Sequence, residues 1–290
     1  MSVETEAAKA LLAPVAEQEV SWARALRVRQ WLHFLVLPVA GVDLSADARV
    51  SAVALARGVA LAFLLLGFGY LVNAIGDRFL DRESAKNPLA GHALPDLRFG
   101  GALLVVMAAL SVTLAWTASQ PVLLATGICL VSGLVYSVGP RLKRFPILGT
   151  AMNATHFGPL LWLGLAGAAA PAGLWGITFV FACLILQSQL VHEVQDRAED
   201  SAGRVRTSVV AFGEGWVAAG AAALGLAAAV LTATLLGQPV VGAALLLGFG
   251  IAFPIALQRK ARPQALRAWH RYGAVAAGAL LFGAARIFGS

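Results

Sequence analysis

The sequence predicts an all-α integral membrane protein whose nine transmembrane helices form one bundle. Hydrophobic residues make up 59% of the 290 residues and charged residues only 13%, and the mean hydropathy is +0.78. This composition is typical of helical membrane proteins rather than soluble domains. Several apolar stretches are also long enough to cross a bilayer, which takes roughly 20 helical residues.

Nine apolar stretches define the predicted helices, and proline, glycine or charged residues mark the gaps between them. The only cysteines, Cys129 and Cys183, lie inside two of these helices and are interpreted as packing residues. Two isolated cysteines predict neither a disulfide nor a metal site. The predicted helices cover residues 30–42, 52–76, 99–118, 121–138, 146–168, 173–195, 208–236, 239–258 and 269–288.

The first 21 residues are predicted to be a cytoplasmic tail. Residues 1–21 contain four glutamates against a single basic residue, Lys9. A secretory signal would instead begin with basic residues and continue into an apolar core. Residues 22–290 are then one transmembrane domain.

The basic residues predict the orientation of the bundle. If the N-terminus is cytoplasmic, only Arg49, Arg57 and Arg286 of the 22 Lys and Arg residues face outward. By the positive-inside rule this asymmetry predicts a cytoplasmic N-terminus and an outward C-terminus. We expect the protein in the inner (plasma) membrane. The net charge of +7 therefore reflects topology and contact with anionic lipid, and does not indicate a nucleic-acid partner.

The second predicted helix ends in an acidic motif, Asn73-Ala-Ile-Gly-Asp77-Arg-Phe-Leu-Asp81. Successive helical residues turn by about 100°, so Asn73, Asp77 and Asp81 lie within roughly 80° on one face. A carboxylate at the bilayer centre costs roughly 2.5–3.5 kcal/mol on insertion scales. Carboxylates in this position therefore point to a function, and these three residues are candidate metal ligands.

The sixth predicted helix ends in a second acidic motif, Glu193-Val-Gln-Asp196-Arg-Ala-Glu-Asp200. Glu193, Asp196 and Asp200 fall within roughly 60° of one another on a helix. Both motif helices run toward the cytoplasm, so the bundle can bring the two clusters face to face. Opposed carboxylates can bind Mg²⁺, which in turn holds diphosphate oxygens. We predict Mg²⁺ as the cofactor, these three residues as further ligands, and Asp77 and Asp196 as the catalytic residues.

The alternative is that both motifs are polar caps of cytoplasmic helix ends. Either motif alone is compatible with that interpretation. Two motifs at matching spacing on one side of the membrane favour a shared site. Their separation by four helices also indicates a duplicated four-helix unit.

The paired motifs resemble those of the UbiA superfamily of intramembrane prenyltransferases, which has nine transmembrane helices. Its first motif is N-D-x-x-D-x-x-x-D, and the present chain departs from it at Ala74. Its second, D-x-x-D-x-x-x-D, is matched with Glu193 in the first place. Shorter segments also resemble the family: Tyr136-Ser137 followed by Lys143, the loop containing Asn87-Pro88-Leu89, and Gly203-Arg-Val-Arg-Thr207.

The resemblance implies a transferase that binds a prenyl diphosphate through Mg²⁺ near the cytoplasmic rim. The prenyl tail would lie in an apolar cavity open to membrane lipids. Loss of diphosphate would give an allylic cation, which a small lipophilic or aromatic acceptor attacks. Two alternatives stay open: transfer of phosphoribose from its diphosphate onto polyprenyl phosphate, and a non-catalytic membrane carrier.

Further polar residues are candidate substrate contacts. Lys86, Lys143 and Arg206 could complement diphosphate oxygens, or could be positive-inside charges, the interpretation preferred for Arg141 and Arg144. The remaining candidates share a position within or beside the bundle, where polar groups usually face the interior. They are His192, which matches Asn73 across the repeat, Asn153 of the fifth helix, and Arg29, which could also be an interfacial anchor.

Overall fold

The computed structural model describes residues 21–44, 52–79, 87–90, 97–165, 172–202, 205–259 and 261–288. Every element of secondary structure within these ranges is helical. Both cysteines are free, and Cys129 is buried.

The first half of the chain builds a helical layer around one long helix, α4. Short 3₁₀ helices at Leu32–Leu35 and Leu142–Arg144 lie between the α-helices of this half. The α-helices are α1 (Trp22–Ala25), α2 (Val28–Trp31), α3 (Val36–Leu44), α4 (Ala52–Asp77), α5 (Arg98–Trp116) and α6 (Gln120–Ser137).

The second half is built on α8, the longest helix of the described chain. A 3₁₀ segment, Gly158–Gly164, continues α7, and a π-helical segment, Leu246–Ala252, joins α11 to α12. The α-helices are α7 (Leu148–Phe157), α8 (Ala172–Ala202), α9 (Ser208–Phe212), α10 (Glu214–Thr234), α11 (Pro239–Leu245), α12 (Phe253–Gln258) and α13 (Pro263–Phe288).

Two apolar cores position the ends of α4 and α8. In the first half, Leu61 and Leu65 of α4 are fully buried with Cys129 of α6 and Leu161 of the 3₁₀ segment. In the second half, α8 packs against α10. At Gly225 of α10 an added Cβ would overlap the backbone of Phe249, so the close approach of α10 to the π-helical segment requires glycine.

The predicted fold class and most predicted helix positions agree with the structure. Within the described residues, six helices are long and apolar enough to span a membrane, so the predicted count of nine is not confirmed. Four predicted helices are not uniform α-helices: the one over 30–42 contains a 3₁₀ segment and the one over 239–258 a π-helical segment, and two others are interrupted at a proline or a glycine. Pro159, which cannot continue an α-helical ladder, follows Gly158 where α7 changes to 3₁₀ geometry. Gly213, with φ of +83°, separates α9 from α10.

Candidate active site

The first acidic motif lies at the C-terminal end of α4. Asp77 is the last residue of the helix, and Asn73 lies one turn earlier. The predicted shared face is therefore present for these two residues, and Asp81 lies outside the described residues. Asp77 is only 8% exposed, so its carboxylate needs compensating donors.

A lysine from the loop after α6 supplies that compensation. Lys143 Nζ donates a short hydrogen bond to Asp77 Oδ1 and lies 3.3 Å from Asn73 Oδ1. The Asn73 oxygen also accepts a 2.8 Å hydrogen bond from Ser137 Oγ. The structure thus brings Lys143, a predicted substrate contact, directly onto the first motif.

Arg141 is a second cation at this carboxylate, although the sequence favours its interpretation as a positive-inside charge over that of a diphosphate contact. Its Nη2 donates to Gly76 O over 2.8 Å and to Asp77 Oδ1 over 3.4 Å. The guanidinium thereby caps the end of α4 and orients Asp77. In the sequence, the position of Arg141 two residues before Lys143 was the one feature that pointed to this contact.

Glu193 of the second motif is buried in a network of hydrogen bonds. Its exposure is 5%. Oε1 accepts a 2.5 Å hydrogen bond from Thr150 Oγ1, and Oε2 accepts a 2.8 Å bond from the Ser208 backbone N–H. Glu193 thus connects α8 to the start of α7 and of α9.

Asp196 and Asp200 follow one and two turns later on α8, and both are half-buried. Asp200 Oδ2 accepts a hydrogen bond from Thr207 Oγ1 at 3.3 Å. Asp196 acts electrostatically on His192, together with Arg267 of α13. The predicted His192 contact therefore lies beside the second motif, on the side that meets the last helix.

Tyr136 of α6 lies beside the first motif. Its ring centroid is 5.9 Å from Lys143 Nζ. The two motifs meet at the segment that follows α6, because Lys143 contacts Asp77 and Thr150 bonds Glu193. Asn153, predicted from its position in the fifth helix, lies on α7 and donates to Gly149 O over 3.2 Å.

Two of the predicted substrate residues that the structure describes are not brought into this cluster. Arg29 is exposed, and no described contact joins it to either motif. Arg206 is also exposed and lines a shallow surface groove with Ser201 and Val210. Lys86 lies outside the described residues.

The acidic groups are compatible with Mg²⁺ that is shared with a substrate, rather than with a metal held by protein alone. Within the described part of the chain, no three His, Cys, Asp or Glu side chains are close enough to form a metal cage. Mg²⁺ is commonly bound by one or two carboxylates plus substrate phosphates. Asn73 and Asp77 on one side, and Asp196 and Asp200 on the other, supply oxygens of that kind.

Ala74 occupies the place where the first motif of the resembled family has aspartate. Its side chain is fully buried in an apolar cluster with Leu71, Leu89 and Leu97. Its carbonyl accepts a 2.9 Å hydrogen bond from Asn87 Nδ2. Position 74 therefore faces leucines rather than the lysine and the opposite carboxylates.

Ala74→Asp should destabilise the protein without improving metal binding. An isolated carboxylate buried among leucines costs several kcal/mol, so the thermal midpoint in detergent should fall by about 4 °C or more. Fluorescence-detected size exclusion after heating measures this midpoint. Ala198→Asp, at an exposed position near the end of α8, is the control and should melt like the wild type. A variant of unchanged stability that binds Mg²⁺ more tightly would contradict this assignment of position 74.

Comparison with known proteins shows which family model the sequence matches and which solved structures have a similar architecture. The model of the UbiA prenyltransferase family matches residues 34–282, whereas no curated protein matches the chain. A UbiA homologue from Archaeoglobus fulgidus bound to GPP and Mg²⁺ has a TM-score of 0.72 at 20% identity, covering 90% of this chain and 99% of that one.

Two further solved structures have the same architecture. The Archaeoglobus fulgidus homologue bound to DMAPP and Mg²⁺ has a TM-score of 0.71 at 19% identity, covering 90% of this chain and 99% of that one. The apo UbiA homologue from Aeropyrum pernix K1 has a TM-score of 0.64 at 20% identity, covering 88% and 96% of the two chains. The predicted resemblance and fold class are confirmed.

Proposed function

This chain belongs to the UbiA prenyltransferase family, and we propose that it is a Mg²⁺-dependent membrane enzyme that transfers a prenyl group from a prenyl diphosphate to an aromatic acceptor. Membership makes the chain a transferase with several membrane-spanning helices. One observation carries the proposal for this chain: Lys143 contacts Asp77 of the first motif, and Thr150, seven residues further along, bonds Glu193 of the second, so one segment joins the two distant helix ends.

The proposed metal ligands are the oxygens of the two helix ends. Asn73, Asp77, Asp196 and Asp200 are proposed from their positions at the described helix ends, and Asp81 is proposed from its place in the motif. Support comes from the homologue structures, which are bound to Mg²⁺ together with DMAPP or GPP. When bound, the metal would neutralise diphosphate charge as the leaving group forms.

Lys143 is the proposed direct contact to the diphosphate. Its ammonium already lies between Asn73 and Asp77, where a diphosphate held by these residues would arrive. As a flexible point charge it can exchange a carboxylate oxygen for a phosphate oxygen. Lys86 and Arg206 are proposed to add positive charge at the rim.

The proposed reaction separates charge at the site described above. The bond between the prenyl C1 and the diphosphate oxygen breaks, and the electron pair leaves with the diphosphate. A carbon of the acceptor ring then bonds to C1 and releases its proton. Preorganised charges that stabilise the leaving group as it forms lower the barrier to the first step.

The acceptor side is proposed to involve His192, Asn153 and Arg29, with Tyr136 between the acceptor and the diphosphate. Asn153 Nδ2 donates to Gly149 O over 3.2 Å, at the start of the helix that carries Thr150. We also propose the plasma membrane as the location, with the N-terminus and the acidic rim on the cytoplasmic side and membrane lipids around the prenyl tail. The distribution of basic residues supports this orientation.

The proposed activity can be tested with purified protein, allylic diphosphates of several chain lengths and a panel of aromatic acceptors. We expect inorganic pyrophosphate and a prenylated acceptor, identified by mass spectrometry, with Mg²⁺ and not with EDTA. Phosphoribosyl diphosphate with polyprenyl phosphate is the parallel arm. Product in that arm alone would show that the enzyme transfers phosphoribose rather than a prenyl group. Absence of product in both arms would favour the carrier interpretation.

A further inference from the structure

A buried network connects the second acidic motif to the loop that serves the first. We propose that Glu193 is a positioning residue that holds the basic loop at residues 141–147 in place, and is not a metal ligand. This inference refines the proposed function by reassigning one residue that the motif alone places among the ligands.

The oxygens of Glu193 are already engaged by protein donors. Thr150 Oγ1 is 2.5 Å from Oε1 and the Ser208 N–H is 2.8 Å from Oε2. Because the Thr150 hydroxyl proton points to Glu193, the 2.9 Å contact between Thr150 Oγ1 and Ser208 Oγ is donated by Ser208. All three side chains are buried. A metal would have to replace these donors in a site without exposed surface, at a substantial desolvation penalty.

The network ends on a strained turn. Ser208 Oγ accepts a 2.9 Å hydrogen bond from the Ile147 N–H. Ile147 has φ of +63° and ψ of −51°, and the Leu148 N–H donates to Pro146 O over 2.6 Å. This is a γ-turn centred on a β-branched residue, a backbone conformation that is rare and costly. Such strain persists only where surrounding contacts enforce it.

The strained turn fixes the position of Lys143. At Gly149, just after the turn, an added Cβ would lie 2.9 Å from Lys143 Cα. The lysine backbone therefore packs directly against the start of α7, which Thr150 and Ile147 connect to Glu193. Arg141 at the beginning of the same loop also has a left-handed backbone, with φ of +51°. The carboxylate of the second motif thus determines where the cations of the first motif lie.

Glutamine and alanine at position 193 distinguish positioning from metal binding. A glutamine can accept from the Ser208 N–H through Oε1 and donate to Thr150 Oγ1 through Nε2, since the hydroxyl protons of Thr150 and Ser208 can reverse. It keeps the network but is a poor metal ligand. Alanine removes both bonds. Positioning predicts that Glu193→Gln remains within about threefold of wild type while Glu193→Ala loses about thirtyfold or more in kcat/KM for the donor.

The rate of tryptic cleavage after Lys143 or Arg144 measures how readily the loop opens, and it can be determined without enzyme turnover. Mass spectrometry of the peptides beginning at Arg144 or Phe145 should show cleavage about tenfold faster in Glu193→Ala and unchanged in Glu193→Gln, because the loop opens locally. Ser208→Ala, which keeps the carboxylate but loses the Ile147 bond, should accelerate cleavage about fivefold. Glu214→Ala, which removes an exposed partner of Arg197, is the control and should cleave like the wild type.

The outcomes separate this inference from the proposed function. If Glu193→Gln loses as much activity as Glu193→Ala, and neither Glu193→Ala nor Ser208→Ala changes cleavage, Glu193 acts as a ligand and the positioning role is wrong. If the wild type turns over no donor, the proposed function is wrong, and the cleavage rates still decide the positioning role. If Glu193→Ala fails to fold, the activity of Glu193→Gln and the cleavage rate of Ser208→Ala still distinguish positioning from metal binding.

Discussion

Asp77→Asn and Asp196→Asn are each expected to lower turnover by about a hundredfold or more, the effect of removing a preorganised electrostatic stabiliser. Asparagine has the shape of aspartate but lacks its charge, so metal held with the diphosphate is weakened while packing is kept. In Asp77→Asn the amide oxygen can still accept from Lys143. Radiolabelled product formation at saturating Mg²⁺ measures the effect.

The fold must remain intact for these two variants to be informative. Size-exclusion elution should match that of the wild type for both variants, and the thermal midpoint should match for Asp196→Asn but fall in Asp77→Asn, because Lys143 loses the Asp77 charge. Glu214→Gln is a matched control, because it makes the same chemical change in a carboxylate exposed at the surface beside Arg197. Wild-type turnover in either Asp77→Asn or Asp196→Asn would show that the motif containing the substituted aspartate is not part of the catalytic site.

Lys143→Met is expected to lower kcat/KM for the donor by about a hundredfold. The substitution keeps an unbranched chain but removes the cation that lies on Asn73 and Asp77. It costs a charge-assisted contact to the diphosphate, and it leaves a buried carboxylate with Arg141 as its remaining described cation. Because the loss falls on donor binding, most of it should be a rise in KM.

Arg144→Met is the matched control for this experiment. Arg144 is the next cation along the loop and is exposed, so its loss should change kcat/KM by less than about threefold. Steady-state kinetics with the donor varied at a saturating acceptor concentration compare the two variants. Equal losses in both would mean that the general charge of the rim matters rather than the particular contact of Lys143 with the first motif.

The sequence predicted the long helices well, because apolar length is a property of consecutive residues. The helix predicted over 52–76 is α4, Ala52–Asp77, and that predicted over 121–138 is α6, Gln120–Ser137. The interruptions at Pro159 and Gly213 were harder to predict. Proline and glycine are frequent in membrane helices, where neighbouring groups can satisfy the backbone. Whether each of them breaks a helix depends on packing against other elements.

The candidate site was predicted in part. Helical spacing was enough to propose Asn73 with Asp77, and Asp196 with Asp200. It could not distinguish Glu193 from its neighbours, because the hydrogen bonds that engage it come from Thr150 and Ser208, elsewhere in the chain. Nor could it show that Arg141 reaches Asp77, a contact across 64 positions.

The assignment at position 74 needed the structure for the same reason. On a helical wheel Ala74 lies near the edge of the acidic face, where an aspartate would be expected to add a ligand. In the fold that edge is covered by Leu89, held by the bond from Asn87 to the Ala74 carbonyl. A neighbouring segment therefore decides which part of a helix face is available to a substrate.

Binding of a non-ionising donor tests the two-motif site most directly. A radiolabelled geranyl thiolodiphosphate, whose C–S bond resists ionisation, should bind the wild type saturably in Mg²⁺. It should bind at least about tenfold more weakly in EDTA and in Asp77→Asn and Asp196→Asn, and normally in Glu214→Gln. Equal affinity in Mg²⁺ and EDTA, or wild-type affinity in both aspartate variants, would contradict a diphosphate site formed by metal and two opposed carboxylate clusters.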